Sequence, residues 1–183
     1  SDVGKNVSNA VGHYLLPRFR WYGYKEGFSS QLVEKAINEV GITSDDYVLD
    51  PFNGSGTVTL TASINGYNSV GIEVNPFVAF MSKAKLETCS GAELDDNINS
   101  ILLQAQSDCN SPLNIYSTFS EHSGKEKWLF NSSVLNSFES SWRYVNGLAE
   151  TKKSVYQLAL IAAAMDNCNA VKDGKCLKYR RNW

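Results

Sequence analysis

The chain has 183 residues, a formal net charge of -2, 43 % apolar residues and 20 % charged residues. That length is enough to bury a domain-sized core, and the composition excludes a disordered or low-complexity chain. The slight acidity excludes a protein that grips a nucleic-acid duplex by overall basic charge, so any phosphate-binding surface must be local or lie in another chain.

Residues 1–12 are polar and read as a loosely held arm. From His13 to Tyr24 aromatic residues alternate with arginine (Pro17-Arg18-Phe19-Arg20-Trp21-Tyr22). Such a stretch either lays its rings over the core or stacks on bases and touches phosphates. The stripe Leu32, Val33, Ala36, Ile37, Val40 predicts a helix, with Ser29 or Ser30 as N-cap and Gly41 as its stop. Tyr47-Val48-Leu49 reads as a short buried strand that Asp50-Pro51 ends, because proline cannot donate to a ladder. Gly54-Ser55-Gly56 is a turn with little side-chain bulk. A helix begins at Thr57 and stops at Gly66, and Ser69 to Ile72 forms a second strand closed by Glu73. Asn75-Pro76-Phe77 opens another helix, with Pro76 at its first position, running to Leu86.

Further on, Leu94, Ile98, Ile101, Leu102 and Ala105 share one helical face, and Ser107 to Pro112 break that run. Leu135, Phe138, Trp142 and Val145 define another helix, ended by Gly147. Val155 to Met165 is apolar nearly all round and is expected to be buried. The tail from Lys172 to Trp183 is basic with aromatics, fitting either phosphate contact or a solvated linker. The domains expected are therefore a core over 1–91, a mainly helical insertion over 92–170 and a basic tail over 171–183. The four cysteines form no Cys-x-x-Cys pair, and with two histidines in the chain no metal site is expected. No apolar run reaches the roughly 20 residues of a membrane span, and no secretory leader is expected. Reduced thiols in a cytoplasmic protein are the expectation.

The strand–glycine turn–helix–strand unit over 47–73 has its acid about 20 residues beyond the turn, as in nucleotide-binding βαβ units. Glycines let backbone approach a ligand, a helix N-terminus offers free N–H groups, and a carboxylate at the next strand tip can accept from both hydroxyls of a ribose. The same features also describe a tight turn beside a solvated glutamate.

The full strings decide between these readings. Asp50-Pro51-Phe52-Asn53-Gly54-Ser55-Gly56-Thr57 and Gly71-Ile72-Glu73-Val74-Asn75-Pro76 resemble the cofactor motifs of amino-group DNA methyltransferases, which methylate the exocyclic nitrogen of adenine or cytosine. The resemblance is specific over residues 47–77 and implies an α/β fold, a Rossmann-like methyltransferase core with helical additions. Strands after the second are hard to find, which leaves room for an incomplete sheet. It also implies S-adenosyl-L-methionine as cofactor. Asp50 would lie near its amino-acid end, Phe52 against the adenosine, Asn53, Gly54, Ser55, Gly56 and Thr57 would supply backbone contacts, and Glu73 with Val74 and Asn75 would sit at the ribose. Phe28, Ser29 and Ser30 stand where the family keeps its N-terminal cofactor motif, a shorter match.

The family's catalytic motif, an acid, asparagine or serine followed by two prolines and an aromatic, has no counterpart here. Pro17, Pro51, Pro76 and Pro112 are the prolines, and no two are adjacent. No catalytic residue is therefore assigned, and the chain, which starts at Ser1, reads as the cofactor-binding piece of a longer enzyme whose catalytic motif would follow Trp183. DNA is the expected partner, through parts largely outside this chain, with a complementary catalytic segment or chain beside it. No membrane partner is expected, and the exposed strand edges of an incomplete sheet would favour self-association. Two other readings share the residues: a fragment of an RNA guanine-amino methyltransferase, which has a similar Asp-Pro-Phe-x-Gly-x-Gly turn, and a cofactor-binding scaffold without activity.

Overall fold

The computed structural model describes residues 16–23, 28–88, 90–121, 124, 127–173 and 176–180. The expected arm over 1–12, the ends of the aromatic stretch (His13 to Leu15, and Tyr24) and the last three residues of the tail lie outside them. The chain divides into two compact units, Ser1–Thr88 and Cys89–Trp183.

In the first unit, α1 spans Ser30–Val40. Its first turn is closed by the Ser29 hydroxyl, which accepts the Leu32 N–H at 3.2 Å. It ends where Gly41 adopts φ 70° and donates its N–H to the Ile37 carbonyl, a left-handed stop that favours glycine. Strands β1 (Tyr47–Asp50) and β2 (Asn68–Gly71) pair in parallel, Tyr47 opposite Asn68 and Asp50 opposite Gly71. Helix α2 (Thr57–Ile64) makes the crossover between them. Helix α3 (Pro76–Leu86) starts with proline at its first turn and is capped by the Asn75 carboxamide, whose oxygen accepts from the Phe77 and Val78 N–H groups. Leu60 and Ala62 of α2 and Val78, Met81 and Ala84 of α3 form the buried centre. Each large apolar side chain so buried contributes roughly 1.5–3 kcal/mol.

The strand pair is covered on one face only. Tyr47 and Leu49, expected to be buried, are 68 % and 61 % exposed, and Val70, level with Leu49, is 46 % exposed. Side chains alternate across a strand, and the described residues of this unit supply α2 to one face and no layer to the other.

In the second unit, α5 (Ser132–Asn146) packs against both α4 (Gly91–Gln104) and α6 (Glu150–Asp166). Ile101, Val145 and Tyr156 meet at one buried cluster. A second cluster gathers Phe130, Leu135, Cys168 and Ala170, with Phe119 stacked on Phe130 at 6.2 Å. Two expectations are corrected. Val155, Tyr156 and Leu158 of α6 are buried, but Ala159, Ala163 and Met165 are exposed. On α4, Ile101 is buried while Ile98 and Leu102 are exposed. Among the described residues of this unit, both helices pack on α5. The region read as a basic tail contributes an antiparallel hairpin, β3 (Ala170–Asp173) with β4 (Cys176–Tyr179). No helix among the described residues is long and apolar enough to cross a membrane.

Candidate functional site

The C-terminal tips of β1 and β2 carry the densest polar network of the first unit. Ladder pairing continues past both strands: the Ile72 N–H donates to the Asp50 carbonyl and the Asn53 N–H to the Ile72 carbonyl, each at 2.9 Å. The chain therefore turns away only after Asn53. The Asp50 carboxylate accepts the Phe52 N–H at 3.0 Å and so shapes the Pro51 bend. Phe52 itself is 88 % exposed, a ring standing free on the turn.

Gly54 and Gly56 both have positive φ, 49° and 83°. At Gly56 a Cβ would lie 2.9 Å from the Ser82 Cβ of α3, so this residue is glycine both for its backbone angle and for the approach of a neighbouring helix. Gly56 also occupies the N-cap of α2 and has no side chain to offer the first-turn N–H groups. The N-terminus of α2, with its partial positive charge, is thus left uncapped by any side chain.

Glu73 closes the arrangement. One carboxylate oxygen accepts the Gly54 N–H at 3.0 Å, the other accepts the Asn75 N–H at 2.8 Å. A carboxylate has about four acceptor positions, so both oxygens retain capacity for further donors. Val74 is 94 % exposed beside it. The site presents an acceptor, an uncapped helix N-terminus and exposed apolar groups within one turn. That combination suits a polar ligand with hydroxyls and a flat apolar part.

Asp50, Phe52, Asn53, Gly54, Gly56, Glu73 and Asn75 are brought together by this network. The side chains of Asn53 and Asn75 point to other tasks: Asn75 caps α3, and Asn53 turns inward. Phe28 stands apart from the hydrogen-bonded turn, in an apolar groove with Leu32, Val48, Leu49 and Val58, next to the residues that flank it. Ser29 caps α1 and Ser30 is buried.

Sequence reasoning missed three supports of the site. Thr59 and Ser82 are buried beneath the turn, and Gly71 faces the Asn53 side chain. The available signal was Thr57, Thr59 and Thr61, three threonines alternating with Val58, Leu60 and Ala62 on one short helix, all 4 % exposed or less. Lys85 is also buried, its ammonium donating to the Tyr22 carbonyl at 3.4 Å. Burial lowers its pKa to about 8.

Comparison with known proteins places these features in a family. Residues 5–83 match the DNA methylase family. The chain is similar to Type II methyltransferase M.BsoBI of Geobacillus stearothermophilus, at 33 % identity over 87 % of the chain and 31 % of that relative. It is also similar to Type II methyltransferase M.AvaI of Nostoc sp., 45 % identical over 41 % of the chain and 16 % of the relative. Type II methyltransferase M.MjaII of Methanocaldococcus jannaschii is 38 % identical over 35 % of the chain and 12 % of the relative. The chain thus spans less than a third of the length of these relatives. No solved structure matches it. The match to the DNA methylase family is thus carried by residues 5–83, which contain the β1–α2–β2 turn network.

Proposed function

We propose that the chain is the S-adenosylmethionine-binding part of a DNA methyltransferase that modifies the exocyclic amino group of adenine or cytosine, built on a Rossmann-like core. The observation that carries this reading is the Glu73 carboxylate beside the Gly54–Gly56 turn, at the tips of two parallel strands. Ligands of open α/β sheets bind at such carboxyl ends.

The residues fit the cofactor. Glu73 retains acceptor capacity for two vicinal hydroxyls after accepting from Gly54 and Asn75. The uncapped N-terminus of α2 suits a carboxylate. Phe52 and Val74 are exposed on the same turn and suit an adenine ring. When bound, S-adenosylmethionine supplies an electrophilic methyl group on a sulfonium. This chain's residues bind and orient it: Glu73 fixes the ribose, Asp50 and the turn fix the amino-acid end, Phe28 offers its ring from the apolar groove with Leu49 and Val58, and Ser29 and Ser30 hold the start of α1. The groups that hold the target amine are assigned to polypeptide outside these residues, since no acid/Asn/Ser-Pro-Pro-aromatic motif occurs in the sequence. DNA is the proposed substrate, and the base would have to leave the duplex to be reached.

Calorimetric titration with S-adenosylhomocysteine, with Glu73→Ala alongside, tests the reading. Binding that falls at least tenfold in the variant is expected, as loss of charge-assisted hydrogen bonds requires. Equal binding by both chains, or none by a folded wild type, would overturn it.

A further inference from the structure

The floor of the glycine turn is held by a buried side-chain lock. The Thr59 hydroxyl, 3 % exposed on α2, donates to the Asn53 Oδ1 at 3.0 Å. It also lies 3.3 Å from the Gly56 carbonyl. The Asn53 carboxamide is pressed against Gly71 of β2: a Cβ at Gly71 would lie 2.7 Å from both Asn53 Oδ1 and Nδ2. Asn53 is also held through its backbone, its N–H on the Ile72 carbonyl and its own carbonyl accepting the Gly56 N–H at 2.8 Å. One side chain therefore ties the first residue of the turn to the helix that follows and seats it on the neighbouring strand. The conformation that presents Gly54 to Glu73 depends on that seat.

From this geometry we infer that Thr59 is a positioning residue for the cofactor, acting through Asn53 on the Gly54–Gly56 turn. The inference rests on the cofactor reading given above. Losing the donor leaves the Asn53 oxygen unsatisfied in a site that water does not readily reach, which weakens the seat of the turn as well as freeing its geometry. Thr59→Val keeps the branched shape and removes the donor. Thr59→Ser keeps the donor and removes a methyl group.

Two measurements on the full chain test it. Native-state hydrogen exchange should show the Asn53 and Gly56 amides exchanging about tenfold faster in Thr59→Val, with the β1 amides unchanged and Thr59→Ser close to wild type. Titration with S-adenosylhomocysteine should show about tenfold weaker binding in Thr59→Val and rescue in Thr59→Ser. Unchanged exchange at both turn amides overturns the inference, as does equal loss of affinity in the two variants, which would mean that packing is at stake. If the turn amides respond but a folded wild type binds no nucleoside, the lock stands as a structural device. The cofactor reading and the positioning role built on it then fall together. If the wild type binds and Thr59→Val binds as well as it does, only the positioning role falls.

Discussion

The Glu73 carboxylate accepts the Gly54 N–H at 3.0 Å, joining residues 19 apart in the chain. The acid at the tip of β2 thereby braces the turn that leaves β1. Glu73 thus shapes the turn, and in the proposed function it also offers acceptors to the ribose. Glu73→Gln retains one acceptor and the side-chain length but loses the charge. Its affinity for S-adenosylhomocysteine should fall between wild type and Glu73→Ala, roughly tenfold below wild type, because hydrogen bonds to charged groups are about twice as strong as neutral ones. Titration of the three chains checks the order.

Two glycine substitutions separate close approach from backbone strain. Gly56→Ala meets both a left-handed φ of 83° and the Ser82 Cβ at 2.9 Å. Gly71→Ala has ordinary backbone but drives into the Asn53 side chain. Each should destabilise the protein by about 1–3 kcal/mol in urea unfolding. Asn53→Ala should recover much of the loss in Gly71→Ala and none of the loss in Gly56→Ala.

Lys85 predicts a pH dependence. In the unfolded chain it keeps its proton up to the ordinary 10.5, and in the folded chain, where burial strips its hydration, only up to about 8. Between those values the unfolded state binds more protons, so its contribution raises stability as pH climbs through that window and is lost as pH falls through about 8. Lys85→Met should flatten this rise. Urea unfolding of both chains at several pH values from 7 to about 10.5 reads the difference.

The uncovered strand face predicts self-association. Tyr47, Leu49 and Val70 are exposed on one side of a two-stranded sheet, and apolar surface of this kind joins copies of a chain. Sedimentation of the wild type should show association that grows with concentration. Leu49→Lys with Val70→Glu, an opposite-charge pair across the two strands, should abolish it and change stability by no more than about 1 kcal/mol.

Ser29 offers a local check on α1. Its hydroxyl is the cap for Leu32, and Ser29→Ala should cost about 1 kcal/mol. Ser29→Thr, which caps nearly as well, should cost less, as thermal melting would show.

Local chemistry made much of this protein legible in advance. Ser29, Gly41, Gly66, Asn75, Pro76 and Gly147 each act within a few residues, through a cap, a left-handed turn or a fixed proline angle, and helix limits follow from them. The strands flanking Gly54–Gly56 and the acid at Glu73 were legible for the same reason: the backbone turn and the spacing of the motif are local. What lies under that turn was not. Thr59 beneath Asn53, Ser82 against Gly56 and Asn53 against Gly71 are set by how α2, α3 and β2 approach one another. Periodicity also marks an apolar stripe without saying whether another layer covers it. Leu49 on β1, Leu102 on α4 and Met165 on α6 belong to apolar runs, yet they face solvent because burial depends on the partner surface and not on the residue alone. The hairpin over Ala170–Tyr179 escaped notice because its strands are four residues each, too short for an alternating pattern to show. Only pairing in space, with Ala170 opposite Tyr179 on the Phe130 and Leu135 cluster, gives those short segments a reason to be strands.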